Sequence, residues 1–324
     1  MRLLVINGAN LNFLGIREPD IYGKKTYKDL YDMIKEYASN NNIDIEIYQS
    51  NHEGDLVDKI QEAYYIKIFV STYNKPVDIT GSVYVPIQVG KKVSGVDLGY
   101  LGDDTGDNIS DKNHYYSEQS GVYWVWKNLK EHPEYVGFCH YRKYPTFGVE
   151  SSITDFQTNA DKFNKSYSEK LIYEAIDSAD VIAINPFVYG TTLESMYKRC
   201  HISDDFDALH ETIKECFADY LKSFEDTLCN GRGTLIPYNV YVMKWELFDE
   251  YCKFIFGVFS ELEKRIDLNK HVGYQSRVFG YMAERLFTVF MRHKCPKIKF
   301  VPCSLLMEYF DHPIHNFNTG DNKN

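Results

Sequence analysis

Three groups of residues in this 324-residue chain have the types and spacing to do chemistry. The first is Asn12, Arg17 and Tyr22, inside Asn7-Gly-Ala-Asn-Leu-Asn-Phe-Leu-Gly-Ile-Arg-Glu-Pro-Asp-Ile-Tyr-Gly23. A guanidinium beside a phenol lowers the cost of ionising it, so Arg17 could turn Tyr22 into a base. The second is Cys139-His-Tyr-Arg-Lys143 at the end of an apolar run. Alternation along an extended strand puts His140 and Arg142 on one face, where with Lys143 they offer positive charge to an anion or pair with surface acids. The third is a set of carboxylates. Asp103, Asp104 and Asp107 lie in a glycine-rich loop, where they bind a metal, activate a hydroxyl or simply solvate the chain. Their spacing lacks the closing bidentate Glu of a calcium loop. Arg277 and Glu284 are seven apart on a helical pattern and share a face, as an internal ion pair or as an anion contact and a base.

Positioning these residues requires a folded chain, and the composition supports one. Hydrophobic residues make up 44%, enough for a sizeable core and too many for wholesale disorder. The net charge of −10, with no basic block, argues against a nucleic-acid partner. Aromatic content is 15%, with 27 tyrosines, which fill cores and line sugar-binding clefts. The seven cysteines (139, 200, 216, 229, 252, 295, 303) contain no Cys-x-x-Cys pair and read as reduced thiols. No secretory leader opens the chain and no run of about 18 apolar residues occurs, so the expected location is cytoplasmic.

The opening reads βαβα: a strand at 2–6, a helix at about 27–40 capped by Thr26, a strand at 43–48 and a helix at 53–65. Strands follow at 67–71, 135–139 and 181–184, and an apolar segment at 84–90. Helices are expected at about 115–130, 168–177, 204–228, 244–266 and 273–293. Residues 148–166 read as a polar loop. The stretch 245–262 is apolar nearly all round, which fits a core or oligomer helix better than a membrane-surface one. The alternation of strands and helices predicts an α/β fold.

Two resemblances divide the chain. The 7–23 string and Gln49-Ser-Asn-His-Glu-Gly54 closely resemble the first half of a type II 3-dehydroquinate dehydratase, and the likeness ends at about Tyr65. It implies a truncated flavodoxin-like leader over 1–65, with Tyr22 as the loop base, Arg17 as its helper and Asn12 at the enolate. The family's later half carries an Asn-Pro-Gly-Ala-Tyr-x-His loop, with the acid histidine, and a Glu-x-His-x-Ser-Asn stretch. Neither occurs here; Ile184-Asn-Pro-Phe-Val-Tyr189-Gly-Thr-Thr192 comes late and has Thr191 where the histidine belongs. The implied site is therefore incomplete, and two strands with two helices bury little on their own.

From about 66 to 308 the strings Ile68-Phe-Val-Ser-Thr72, Tyr84-Val-Pro-Ile-Gln-Val-Gly90, Leu98 to Ser110, Val136 to Tyr144, Asn239 to Met243 and Gln275 to Leu286 resemble the capsular and exopolysaccharide glycosyltransferase domain long catalogued as a domain of unknown function. This implies a GT-A-like domain over 66–312, followed by a flexible tail at 313–324. It implies transfer of a sugar, with galactofuranose among the candidates, from a nucleotide donor to a surface-glycan acceptor, lipid-linked. The expected donor-binding set is Thr72, Gln88, Gly90, Asp103, Asn108, His140, Arg142 and Arg277, with Asp104 and Glu284 as catalytic carboxylates. The strand end at His140 lacks an Asp-x-Asp motif, so no metal cofactor is expected. A location at the inner membrane face, peripheral membrane contact and self-association are compatible with this reading. The alternatives are a retained dehydratase and a non-catalytic interaction module.

Overall fold

The computed structural model describes residues 2–41, 43–63, 66–79 and 81–310, without the side chains of residues 2, 22, 44 and 61–63. The tail expected at 313–324 lies outside the described residues. The chain divides into two compact units, Met1–Tyr65 and Ile66–Asn324.

The small unit is βαβα. Strands Arg2–Asn7 and Asp44–Gln49 pair in parallel, with Arg2 opposite Asp44 and Asn7 opposite Gln49. Helix Tyr27–Asn40 starts with a capping box: Thr26 Oγ1 accepts from the Asp29 N–H at 3.2 Å, and the Asp29 carboxylate accepts from the Thr26 N–H at 2.6 Å. Helix Glu53–Ala63 follows the second strand. Among the described residues only one apolar side chain of this unit, Ala38, is fully buried, while Phe13, Ile16, Ile21, Met33 and Tyr37 are exposed. Two strands and two helices are too few layers to enclose a core.

The large unit holds a central sheet in the order Leu101–Gly102, Tyr84–Gln88, Ile66–Thr72, Tyr135–His140, Tyr241–Lys244, Val181–Ile184, Ile298–Val301. Every neighbouring pair is parallel except those made by Tyr241–Lys244, which runs against both of its neighbours. The unit is α/β, as the alternation of strands and helices predicts. Its central strands are buried along their length, Ile66–Thr72 almost completely. Gly137 sits where the antiparallel strand crosses closest: a Cβ there would lie 2.7 Å from Val242 Cγ2 and 2.9 Å from the Tyr241 carbonyl oxygen. Only glycine lets these two backbones pair at that point.

Helices Trp245–Leu262 and Val278–Lys294 close one side of the sheet. Phe248, Tyr251, Phe259, Phe279, Phe287 and Phe290 are fully buried there, at about 1.5–3 kcal/mol each. Trp245–Leu262 is thus a core helix. A side sheet joins Cys303–Leu306 to Lys143–Pro145 and Asp155–Thr158. Residues 148–166 are therefore not a plain loop. They contain the strand Asp155–Thr158 and a helix, Ala160–Ser166, whose cap Asn159 accepts from the Lys162 N–H at 2.9 Å. An edge position and a short capped helix both tolerate a polar sequence.

The helix expected over 115–130 is broken. Asn113–Tyr116 and Gln119–Asn128 flank Ser117, which takes a left-handed φ of 52°. All seven cysteines are free. Among the described residues no helix is long and apolar enough to cross a membrane.

Candidate functional site

Parallel strands present their C-terminal ends on one edge of the sheet, and ligands of α/β folds bind in the crevice outside those ends. Here Ser71 lies opposite His140 in the sheet, and the chain leaves the edge at both points. A cleft of about 390 Å³ opens there, lined among others by Tyr73, Glu118, His140, Arg142, Ser276 and Arg277. Helix Gln119–Asn128 begins at Glu118, and helix Val278–Lys294 begins at Arg277. Both therefore place their N-terminal ends, with partial positive charge, at this region, although the Ser120 and Gly121 N–H groups already donate to the Ser117 and Glu118 carbonyls. The crevice is built for an anion.

Arg142 and Arg277 bring full charges to it. Arg277 Nε donates to Ser117 Oγ at 3.0 Å, while the residue stays exposed. Arg142 Nη1 donates to the Tyr309 carbonyl at 3.4 Å, and its guanidinium carbon lies 4.5 Å from the Phe310 ring centroid. Neither guanidinium is locked in an ion pair among the described residues, so each keeps N–H groups for a ligand.

His140 plays a different part from the cation expected of it. Its Nε2 is 2.6 Å from the Tyr238 carbonyl oxygen. A carbonyl only accepts, so Nε2 carries the proton. Burial lowers its pKa, against the pull of Glu118, so the ring is neutral and Nδ1 holds a lone pair. The same residue is held at its other backbone group: the Tyr238 N–H donates to Glu284 Oε1 at 2.9 Å. Burial raises the Glu284 pKa, opposed by Arg285 and Lys143, and burial lowers that of Lys143, whose Nζ sits 3.6 Å from the Tyr238 ring centroid. The Tyr238 hydroxyl donates to Asp155 Oδ2 at 2.6 Å. Tyr238 reaches His140 because the antiparallel strand starts where its neighbours end, with Tyr241 opposite Phe138.

Of the expected site residues, His140, Arg142 and Arg277 converge on the cleft. Several others are loop anchors instead. Asp103, with no exposed surface, accepts from the Gly90 N–H at 2.7 Å, the Lys91 N–H at 3.0 Å and Ser110 Oγ at 2.5 Å. Gln88, equally buried, donates to the Val96 carbonyl at 2.9 Å and accepts from the Leu98 N–H at 3.1 Å. Thr72 Oγ1 donates to the Lys75 carbonyl at 2.6 Å. Gly90 is left-handed at φ 64° and packs against Asn113, with no room for a Cβ. Asn108 Nδ2 closes its own turn on the Gly106 carbonyl at 2.9 Å. None of these five is part of the cleft lining, and their polar atoms are already used within their own loops. Asp104, in the same loop, is not part of the cleft lining, and Glu284 reaches the site only through the Tyr238 peptide.

The residue missed is Glu118. It lines the cleft with one carboxylate oxygen, Oε1, 2.5 Å from Asn239 Nδ2. Its position follows from the Ser117 break, which the continuous apolar periodicity of 115–130 conceals. Among the described residues no group of three or more His, Cys, Asp or Glu side chains stands ready to hold a metal ion.

In the small unit, Asn12 Oδ1 is buried without a hydrogen-bond partner among the described residues, and Arg17 is exposed. Tyr22 ends the short helix Pro19–Tyr22, and its side chain lies outside the described residues.

Comparison with known proteins divides the chain similarly. A family model described as domain of unknown function DUF4422 matches residues 67–295, and one described as dehydroquinase class II matches residues 1–73. The second match runs past Tyr65 into the strand Ile66–Thr72, which the large unit uses in its sheet. The 3-dehydroquinate dehydratase of Lachnospira eligens is 57% identical over 65 residues, covering 20% of this chain and 44% of that protein. That of Thermotoga neapolitana is 50% identical over 60 residues, covering 18% and 41%. The chain thus spans less than half the length of these curated relatives. The apo structure of WbbM, a bifunctional glycosyltransferase, superposes with a TM-score of 0.67 at 27% identity, over 75% of this chain and 45% of that one.

Proposed function

The chain belongs to the family described as domain of unknown function DUF4422, and on that premise we propose that its large unit is a glycosyltransferase using a nucleotide-sugar donor. The likeness to the glycosyltransferase WbbM supports this. The observation that carries it is the meeting of Arg142, Arg277 and two helix N-termini around one cleft at the strand ends. A sugar leaving its nucleotide builds negative charge on the departing diphosphate, and groups fixed in advance near that charge stabilise the transition state. Arg142 and Arg277 are the residues for this task. The C1–O bond to the diphosphate breaks, its electron pair leaves with the phosphate oxygen, and an acceptor hydroxyl oxygen bonds to C1. The hydroxyl proton needs a base, and Glu118 is the carboxylate of the cleft lining.

In this reading the cationic side chains take the place of a divalent metal, so transfer survives chelation. The acceptor is a surface glycan, lipid-linked, met at the cytoplasmic face of the membrane. The exposed ring of Tyr274, next to the cleft residues Gly273 and Ser276, offers a stacking surface for an acceptor sugar. Calorimetry with a panel of uridine diphosphate and its sugars, with and without chelator, tests this. Binding that persists under chelation is the expected outcome; no binding by any member removes the proposal.

A second reading, dehydratase activity from the small unit, is favoured only by the identity over the opening motif. It lacks the acid histidine and the substrate-binding stretch that the family supplies from its later half. Enone formation from dehydroquinate decides it.

A further inference from the structure

Among the described residues of the large unit, four non-glycine residues have positive φ: Ser117, Tyr238, Asn239 and Cys295. Three of them lie at the cleft or against its residues, and Tyr238 and Asn239 are consecutive, at 75° and 52°. Left-handed backbone costs a bulky residue such as Tyr238 about 1–2 kcal/mol and an asparagine less, so the pair marks a backbone held in place by its surroundings. The turn carries both polar partners of the cleft's proton-handling groups. The Tyr238 carbonyl accepts from His140 Nε2 at 2.6 Å, and Asn239 Nδ2 donates to Glu118 Oε1 at 2.5 Å and to the Gly280 carbonyl at 3.4 Å.

The orientation of the Asn239 amide is not arbitrary. A carboxylate and a carbonyl both only accept, so the nitrogen must face them. The consequence is that Asn239 Oδ1 is buried with no partner among the described residues, in a residue only 3% exposed. A buried unsatisfied acceptor costs about 1–3 kcal/mol. The orphaned amide oxygen follows from pointing this nitrogen at Glu118. A residue serving packing alone would not need it.

We infer that Asn239 is a positioning residue for Glu118: it fixes one carboxylate oxygen so that the other, which has no hydrogen-bond partner among the described residues, meets the acceptor hydroxyl. This rests on the glycosyltransferase reading of the cleft. The turn ties Glu118 and His140 to consecutive residues, and Glu284 holds the Tyr238 N–H that leads into it. A displacement of about 1 Å at a reacting group costs on the order of 100-fold in rate.

Asn239→Gly separates orientation from strain, because glycine takes positive φ at no steric cost and brings no amide. It is compared with Glu118→Gln and the double variant. The readouts are uridine diphosphate binding by calorimetry, diphosphate release from a turned-over uridine diphosphate sugar, and urea midpoints. Asn239→Gly should bind uridine diphosphate and show a donor KM within about threefold of the native protein, with kcat lower by on the order of 100-fold. The double variant should be no slower than Glu118→Gln alone, because the two act as one unit. A native kcat in Asn239→Gly, or losses that multiply in the double variant, would overturn the inference. If the native chain binds no uridine diphosphate, the donor reading fails by itself. The urea cycle then decides the pairing: non-additive midpoints support it and additive ones reject it.

Discussion

Asp103→Asn distinguishes a loop anchor from a ligand contact more sharply than any other change near the cleft. Three donors converge on this carboxylate: the Lys91 N–H and Ser110 Oγ on Oδ1, and the Gly90 N–H on Oδ2. An asparagine can keep its oxygen at the Oδ1 position and serve two of them. Its NH2 group then faces the Gly90 N–H, donor against donor. One hydrogen bond to a charged group is lost, at about 1.5–3 kcal/mol, and a buried N–H is stranded, at about 1–3 kcal/mol. Weakening of the two neutralised bonds adds to this, and local relaxation subtracts, leaving a net loss of about 3–5 kcal/mol. That is a large part of the roughly 5–15 kcal/mol that holds a domain together. Urea denaturation followed by tryptophan fluorescence reads the right unit, because Trp124, Trp126 and Trp245 all belong to the large one. Ser110→Ala, which removes one of the three donors, should cost less. If Asp103→Asn loses under about 1 kcal/mol while uridine diphosphate affinity falls more than about tenfold, Asp103 contacts the ligand and the argument from its bonding is wrong.

Three further expectations follow. Arg277→Ala should weaken uridine diphosphate binding by about 10- to 150-fold, the worth of one hydrogen bond from a guanidinium to phosphate, with little change in the urea midpoint; unchanged affinity would place the diphosphate elsewhere. The unfolded chain takes up a proton near 6.5 that folded His140 resists. Stability therefore rises with pH through the window from the lowered folded value up to 6.5 and is lost on acidification below it. His140→Asn should flatten that part of the slope in pH-dependent urea titrations and leave the opposing slope of Glu284, whose raised pKa makes stability fall as pH rises above 4.5. The full chain should form no enone from dehydroquinate above background; a measurable rate that Tyr22→Phe abolishes would show that the small unit finds its missing acid.

The sequence makes the local parts of this site legible and hides the distant ones. The helix Tyr27–Asn40 follows from its cap and its periodicity. His140 and Arg142 both line the cleft, but not through strand alternation: the strand ends at His140, Tyr141 and Arg142 form the turn after it, and His140 pairs with Lys143 across that turn. Gln88 and Asp103 misled because a polar residue at a strand end looks the same whether it faces ligand or folds back on its own loop. Burial decides that, and burial depends on partners such as Gly90, Leu98 and Ser110. Glu118 was hidden twice. One left-handed serine breaks a helix whose apolar pattern runs straight through, and the partner that holds its carboxylate is 121 residues away.

The two units illustrate the same physics from opposite sides. In the large unit the backbone accepts unfavourable conformations at Ser117, Tyr238 and Asn239 because buried helices and a seven-strand path over-determine their positions. Strain can be kept only where the surrounding packing exceeds it. In the small unit Glu18 and Asn10 also take left-handed φ, at 44° and 70°, within the loop that carries Asn12 and Arg17. There the supporting core amounts to Ala38 among the described residues. The loop motif of a dehydratase is present in sequence, but a unit that buries so little has little free energy with which to hold such a loop and its arginine in register. Near-identity of a motif therefore counts for less than the packing beneath it, and the cleft of the large unit, where Glu118 and Arg277 cap largely buried helices and Arg142 follows a buried strand, is where catalysis should be sought first.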